Sequence, residues 1–221
     1  MPNLYPSPLP DATRRDPRRR AEVRVYDTLA AQLDSAWWVF HSVAWLGKST
    51  GDRVGDGEAD FVIVHPERGA MTLEVKGGGI RYDAYLNQWF SENAGGHWNK
   101  IKDPFEQART SKHALLNKLR EYPKLKSRFW PMAHAVCFPG VVAERADLKT
   151  DAPRDVVLDR SDLERMPQAL ERVFAHFHAE REVEPLTPVE LNTLRDVLAR
   201  CSSCACPWGR RRATKIARSS G

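Results

Sequence analysis

The stretch from Gly57 to Ile80, GEADFVIVHPERGAMTLEVKGGGI, contains Asp60, Glu74 and Lys76 beside two runs of apolar residues. DFVIVH and AMTLEVK read as two strands joined by the turn PERG. Side chains alternate between the faces of a strand, so Thr72, Glu74 and Lys76 share one face while Met71, Leu73 and Val75 point to the other. Glu74 and Lys76 are then neighbours, with Cα atoms roughly 6.5 to 7 Å apart. Asp60 heads the partner strand, and hairpin pairing brings it beside them. Two carboxylates held together repel unless a cation lies between them. Mg²⁺, which takes hard oxygen ligands and keeps several waters, suits such a pair, and Mn²⁺ is the ready substitute. A cation there polarises a phosphodiester and acidifies its own water. A lysine adds positive charge where the transition state becomes negative. An exposed strand face is the bland reading of the same three residues. Against it stand the strongly apolar strands and the glycines Gly77 to Gly79, which let another backbone approach.

The elements around this hairpin follow from punctuation and period. Asp16-Pro17 is a helix start, and Glu22, Tyr26, Leu29 and Leu33 then fall on one helical face. WWVFHSVAWL, Trp37 to Leu46, reads as a strand and GKSTGDRVGDGEA as a polar loop. NQWFSENAGGHWNKIKD is irregular or a short hairpin with a glycine turn. Asp103, Pro104 and Glu106 have capping-box spacing and open a helix with Phe105, Ala108, Leu115 and Leu119 on its apolar face. MAHAVCFPG and DVVLDR read as buried strands. SDLERMPQALERVFAHFHAE is helical with a break at Pro167. TPVELNTLRDVLAR is a helix capped by Thr187, with Glu190 three residues on. This order is α/β with a mixed sheet.

At this point a resemblance is specific. Asp60 followed by Glu74-x-Lys76 resembles the metal-dependent PD-(D/E)xK nucleases. With Trp89 in QWF and then IKDPFEQA, residues 20 to 140 resemble the nuclease-related domain, NERD. The resemblance implies a restriction-endonuclease-like mixed sheet flanked by helices, with a helical C-terminal extension. It implies a Mg²⁺- or Mn²⁺-dependent deoxyribonuclease acting in DNA processing or repair, with Asp60 and Glu74 as metal ligands and Lys76 as the catalytic lysine. Glu22 matches an acid at the edge of the metal site. Gln107 matches a glutamine expected to reach the site or the DNA. Ala59 stands where the superfamily's proline would be, and Glu58, two residues before Asp60, is a rival ligand. Relatives are often fused to a helicase or kinase, so a helicase is the expected partner. The alternative is a catalytically silent nucleic-acid-binding module that recruits such a partner. The first turn of the helix after Asp103 offers backbone N–H groups to a phosphate. Lys100, Lys102, Arg109 and Lys112 make the expected phosphate-contacting face. Trp89 and Trp98 serve either the core or base stacking.

Length and charge bound the rest. The chain has 221 residues, 42% hydrophobic, including 7 tryptophans, enough for one substantial core. It has no run of apolar residues long enough to cross a membrane and no signal-type N-terminus, so a cytoplasmic protein is expected. The net charge of +5 resides in residues 201–221, which hold five basic residues and no acid. The first 200 residues are balanced, so global charge is weak evidence for nucleic acid. Expected boundaries are 1–15 as a flexible lead-in, 16–160 as the nuclease-like domain, 161–200 as the helical extension and 201–221 as a disordered or non-native tail. Cys137 reads as a buried hydrophobe, and the cluster Cys201, Cys204 and Cys206 lacks the fourth ligand of a structural zinc site.

Overall fold

The computed structural model describes residues 1–47, 55–126, 132–143, 148–149, 152–178 and 183–202. The expected tail, apart from Cys201 and Ser202, lies outside the described residues, as does most of the glycine-rich loop after Gly47. The two apolar runs of the opening stretch form β3 (Gly55–His65) and β4 (Gly69–Val75), preceded by β2 (Trp38–Gly47). These three make an antiparallel meander. To it are added β1 (Asn3–Tyr5), parallel to β2, and β8 (Met132–Phe138) and β9 (Val157–Asp159), parallel to β4 and to each other. The mixed sheet has the order β1-β2-β3-β4-β8-β9. A second, antiparallel sheet is a meander of β5 (Ile80–Asp83), β6 (Gln88–Glu92) and β7 (Trp98–Ile101). The segment read as irregular or a short hairpin is thus a hairpin within a three-stranded sheet.

Helices cover both faces of the large sheet. On one, α2 (Arg20–Gln32) and α5 (Met166–His178) bury Val25, Leu29, Val173 and Phe174 against Val39, Phe61, Ile63, Leu73 and Ala135. On the other, α3 (Pro104–Leu119) and α6 (Pro188–Ser202) bury Leu115, Leu119, Leu194 and Leu198 against Phe40, Val62, Val64 and Ala70. A third cluster joins Ile80 and Trp89 of the small sheet to Ala108, Val136 and Phe138. The architecture is therefore α/β, a mixed sheet flanked by helices with C-terminal helices. Those last helices are integral to the two helical layers, because each contributes a full apolar stripe to one of them.

The caps appear where the sequence placed them. Asp16 accepts from Arg18 N and opens a short 3₁₀ turn leading into α2. Asp103 accepts from Phe105 N and Glu106 N at the start of α3. Thr187 and Glu190 bond each other's backbone N–H groups before α6. Pro167 falls in the first turn of α5, so the break precedes that helix. The first 15 residues differ from the flexible lead-in expected of them. Tyr5 stacks on Phe40 at 4.9 Å, Leu9 is buried, and α1 (Asp11–Arg15) follows. The prolines conceal this order in the sequence. A three-residue edge strand needs few N–H donors, and its side chains find a ready apolar surface.

Candidate functional site

The ladder between β3 and β4 ends at the pair Phe61 and Leu73. Beyond it Asp60 takes over: its Oδ2 accepts the backbone N–H of Val75 at 2.7 Å. A carboxylate thus stands in for a strand carbonyl and is fixed beside the end of β4. What turns it there is a defect shared by two strands. On β2, His41 and Val43 face Phe61 and Ala59, and between these pairs Ser42 has φ of 60°. His41 is bonded to Glu22 on the α2 side, while Val43 packs in the α3–α6 core. Phe61 and Ala59 divide between the same two layers. Both strands therefore lose their alternation at the level of Ser42 and Asp60. A non-glycine residue in the left-handed region costs about 1–3 kcal/mol, and such strain persists only where the surroundings enforce it.

Glu74 is 3% exposed and its Oε1 lies 2.6 Å from Lys76 Nζ. Burial raises the Glu74 carboxyl above its ordinary value. Lys76 opposes the rise, and the charges of Glu22 and Glu58 add to it. Asp60 is crowded by protein yet keeps some access to solvent. Its carboxyl is held well above the ordinary value by desolvation, then by Glu74 and Glu22, against smaller opposition from Lys76 and the Val75 N–H. Glu22 Oε2 is 2.9 Å from both His41 Nε2 and Arg19 Nη1. Arg19 Nη2 continues to Glu58 Oε1 at 3.2 Å, and the Ser42 hydroxyl donates to the same oxygen. The result is an excess of carboxylates at the joint of α2, β3 and β4, faced by Lys76 and Arg19.

That donor set suits a hard divalent cation held by two carboxylates and water. Glu74 raises the proton affinity of Asp60, and a bound cation relieves that crowding. The three-carboxylate set expected with Glu22 is not gathered in this arrangement. Glu22 is engaged by Arg19 and His41, and among the described residues no three His, Cys, Asp or Glu side chains are grouped to hold one ion. Arg19, His41 and Ser42 were not singled out from sequence. Each has a bland local reading, as a basic run or an apolar strand, and only the fold brings them to the two acids.

Gln107 is half-buried in the first turns of α3, where Thr72 Oγ1 donates to Ala108 O at 2.9 Å. Thr72 and Glu74 share a strand face, so this helix lies over the face that carries Glu74. The Gln107 side chain makes no hydrogen bond among the described residues. The N–H groups offered to a phosphate at this helix start are partly spoken for, since Asp103 takes two of them. The four expected phosphate contacts divide. Lys100 and Lys102 are exposed, and neither is ion-paired among the described residues. Arg109 is paired with Glu106. Lys112 turns inward, with Nζ 3.1 Å from His134 Nδ1 and 5.2 Å from the centre of the Phe177 ring.

The glycines after Lys76 are needed for the close approaches around them. Gly78 has φ of 79°, and a Cβ there would lie 1.9 Å from Glu92 O. Ser91 Oγ donates to Gly77 O and Glu92 N to Gly79 O, which fastens β6 to the segment carrying Lys76. The profile of the nuclease-related domain, NERD, matches residues 17–139. The chain belongs to the nuclease-related domain family. In this NERD protein the matched span runs from the turn before α2 to the residue after β8, and so takes in Glu22, Asp60, Glu74, Lys76 and Gln107. No curated protein and no solved structure matches the chain. Among the described residues, no helix is long and apolar enough to cross a membrane.

Proposed function

We propose that this NERD protein is a metal-dependent nuclease that hydrolyses DNA phosphodiester bonds in DNA processing or repair, with Mg²⁺ or Mn²⁺ as its cofactor. The observation that carries the reading is the joint placement of Asp60 on the Val75 N–H and of Lys76 on Glu74 at one end of the β3–β4 hairpin. Asp60 and Glu74 would hold the cation, which when bound polarises the phosphodiester and acidifies a water. The chain's own contribution is positional and electrostatic. The Val75 N–H fixes one carboxylate, and Lys76 fixes the other while presenting a partly desolvated ammonium. That ammonium stabilises negative charge on the non-bridging oxygens as water oxygen bonds to phosphorus and the ester P–O bond breaks. The water's proton leaves to solvent or a neighbouring base, and the departing oxygen is protonated in turn. Glu22, braced by His41 and Arg19, positions Arg19 and adds to the local negative field. Gln107, whose amide makes no hydrogen bond among the described residues, would orient water or substrate.

One observation favours a second reading, a catalytically silent nucleic-acid-binding module recruiting a helicase: the third acid, Glu22, is committed to Arg19 and His41. The two readings separate in a single assay. The protein and its Lys76→Ala variant are incubated with single- and double-stranded DNA in Mg²⁺, Mn²⁺ or EDTA. Cleavage that needs the ion and is lost in the variant supports the nuclease. Equal product from both proteins identifies a contaminant, and no product from either, with binding retained, favours the silent module.

A further inference from the structure

The small sheet has two unlike faces. Tyr82, Trp89 and Ile101 form a register row across its three strands and belong to the buried cluster against α3 and β8. The adjacent row, Arg81, Phe90 and Lys100, faces the other way. Beside it Trp98, paired with Glu92, remains 41% exposed, large for a tryptophan with so much apolar surface to hide. The Arg81 guanidinium carbon sits 4.9 Å from the Trp98 ring centre and 5.7 Å from that of Phe90. The guanidinium is within cation–π range of both rings, so ring and guanidinium together offer flat surface on the side of the sheet away from the core. Arg81, Lys100 and Lys102 form no ion pair among the described residues. Of the two acids in this sheet, Asp83 accepts the Leu86 N–H, and Glu92, the register partner of Trp98, has its carboxylate on the Gly79 side.

A groove of 430 Å³ opens alongside, with Trp89, Lys100, Lys102, Asp103 and Lys149 among its lining residues. Its acid, Asp103, already caps α3. Trp89 is 1% exposed, and its indole N–H, which can only donate, has no acceptor among the described residues. The C-terminal end of β6 is bonded to Gly77 and Gly79 just after Lys76, so Trp98, the register partner of Glu92, lies at the end of the sheet nearer the candidate catalytic hairpin.

We infer that the outer face of the β5–β6–β7 sheet is a binding platform for single-stranded nucleic acid, stacking an unpaired base on Trp98 and Arg81 while Lys100 and Lys102 follow the phosphates. This deepens the proposed function and rests on it for the identity of the ligand. Stacking on aromatic and guanidinium planes requires a base free of its helix, so a single strand is the occupant and a duplex is not. The assignment also explains the differing fates of two nearby tryptophans: Trp89 anchors the sheet, and Trp98 is left to meet a ligand.

The test is binding in EDTA, where metal-dependent cleavage is silent. Fluorescence anisotropy of labelled oligo(dT) and of a blunt hairpin duplex is measured for the full chain, Trp98→Ala, Trp98→Phe and the double variant Lys100→Ala/Lys102→Ala. Circular dichroism confirms that each is folded. The expected result is a loss of about tenfold or more in single-strand affinity for Trp98→Ala, most of it recovered in Trp98→Phe, with duplex affinity little changed. The double lysine variant should lower the slope of log affinity against log salt by about 1.4, two phosphate contacts on a single strand. The inference is overturned if Trp98→Ala binds oligo(dT) within twofold of the parent, or if it weakens duplex and single strand equally. Trp98-dependent binding by a protein that never cleaves would uphold the platform and remove the nuclease. Cleavage with normal binding by Trp98→Ala would do the reverse.

Discussion

The end of the β3–β4 hairpin and the space under α3 both put charge below the surface, and they are balanced by opposite means. At the end of the β3–β4 hairpin Asp60 and Glu74 sit with Glu22 and Glu58 nearby, and two cations, Lys76 and Arg19, face them. Under α3, Lys112 is paired with no acid among the described residues. It donates to His134 Nδ1 and lies over the Phe177 ring, so a neutral imidazole and an aromatic face replace a counter-ion. Burial lowers the lysine's proton affinity, with Arg109 adding to the effect. The lysine cluster is closed on itself, built from donors and acceptors the chain provides. The carboxylate cluster holds more acids than its own cations match, and that excess is what the proposed cation would offset.

The largest effect should come from breaking the carboxylate cluster. Asp60→Asn keeps an acceptor for the Val75 N–H but removes the charge. It should reduce cleavage on the order of 10³-fold, read as product formed per enzyme in Mn²⁺. A loss below tenfold would place the chemistry elsewhere. The same variant should gain stability. Both carboxyls are raised in the folded protein, so the folded state holds protons more tightly than the unfolded one. Their favourable contribution is full below the ordinary carboxylate range and lost as pH rises through the raised values. In metal-free buffer above pH 7, Asp60→Asn should therefore be more stable by about 1–2 kcal/mol in urea unfolding. Mg²⁺ should raise the melting temperature of the parent and leave that of the variant almost unchanged. An equal rise in both would exclude Asp60 from the ion site.

How much of this contrast was readable in the sequence depends on whether it is local. Glu74 and Lys76 follow from strand alternation and the caps at Asp103 and Thr187 from spacing of three, whereas Asp60 is set on the Val75 N–H by a break in alternation that the sequence does not announce. The left-handed Ser42 leaves no mark, since serine there competes with nothing in the neighbouring residues. Arg19 and His41 join Glu22 only after α2 has docked on the sheet. Lys112 reads as a phosphate contact from the basic residues around it, and nothing local in the sequence places His134 and Phe177 against it. Trp89 and Trp98 diverge by strand register, which composition cannot supply.

The lysine cluster gives the next effect. If Lys112 is held by a neutral acceptor and a ring, its charge is a cost and its stem an asset. Lys112→Met should equal or exceed the parent in stability by up to about 1 kcal/mol, whereas Lys112→Ala, losing contact with Phe177, should fall by about 1 kcal/mol or more. Urea midpoints for the pair decide it. Equal losses in both variants would mean that the charge itself stabilises the fold.

The smallest effect distinguishes the two clusters by the sign of their pH response. Burial, then the charges of Lys112, Arg109, His113 and His176, lowers His134 to about 3. Folded, it stays neutral; unfolded, it takes a proton below about pH 6.5. Its contribution is therefore complete above that value and is lost as pH falls toward about 3, the reverse of the crowded carboxyls. The slope cannot exceed about 1.4 kcal/mol per pH unit for one proton, and partial exposure reduces it. His134→Gln keeps an oxygen for Lys112 without the titration. Its urea midpoints between pH 6 and 4 should decline less steeply than the parent's. Parallel curves would mean that the imidazole is already protonated in the folded protein, and that Lys112 has some other acceptor.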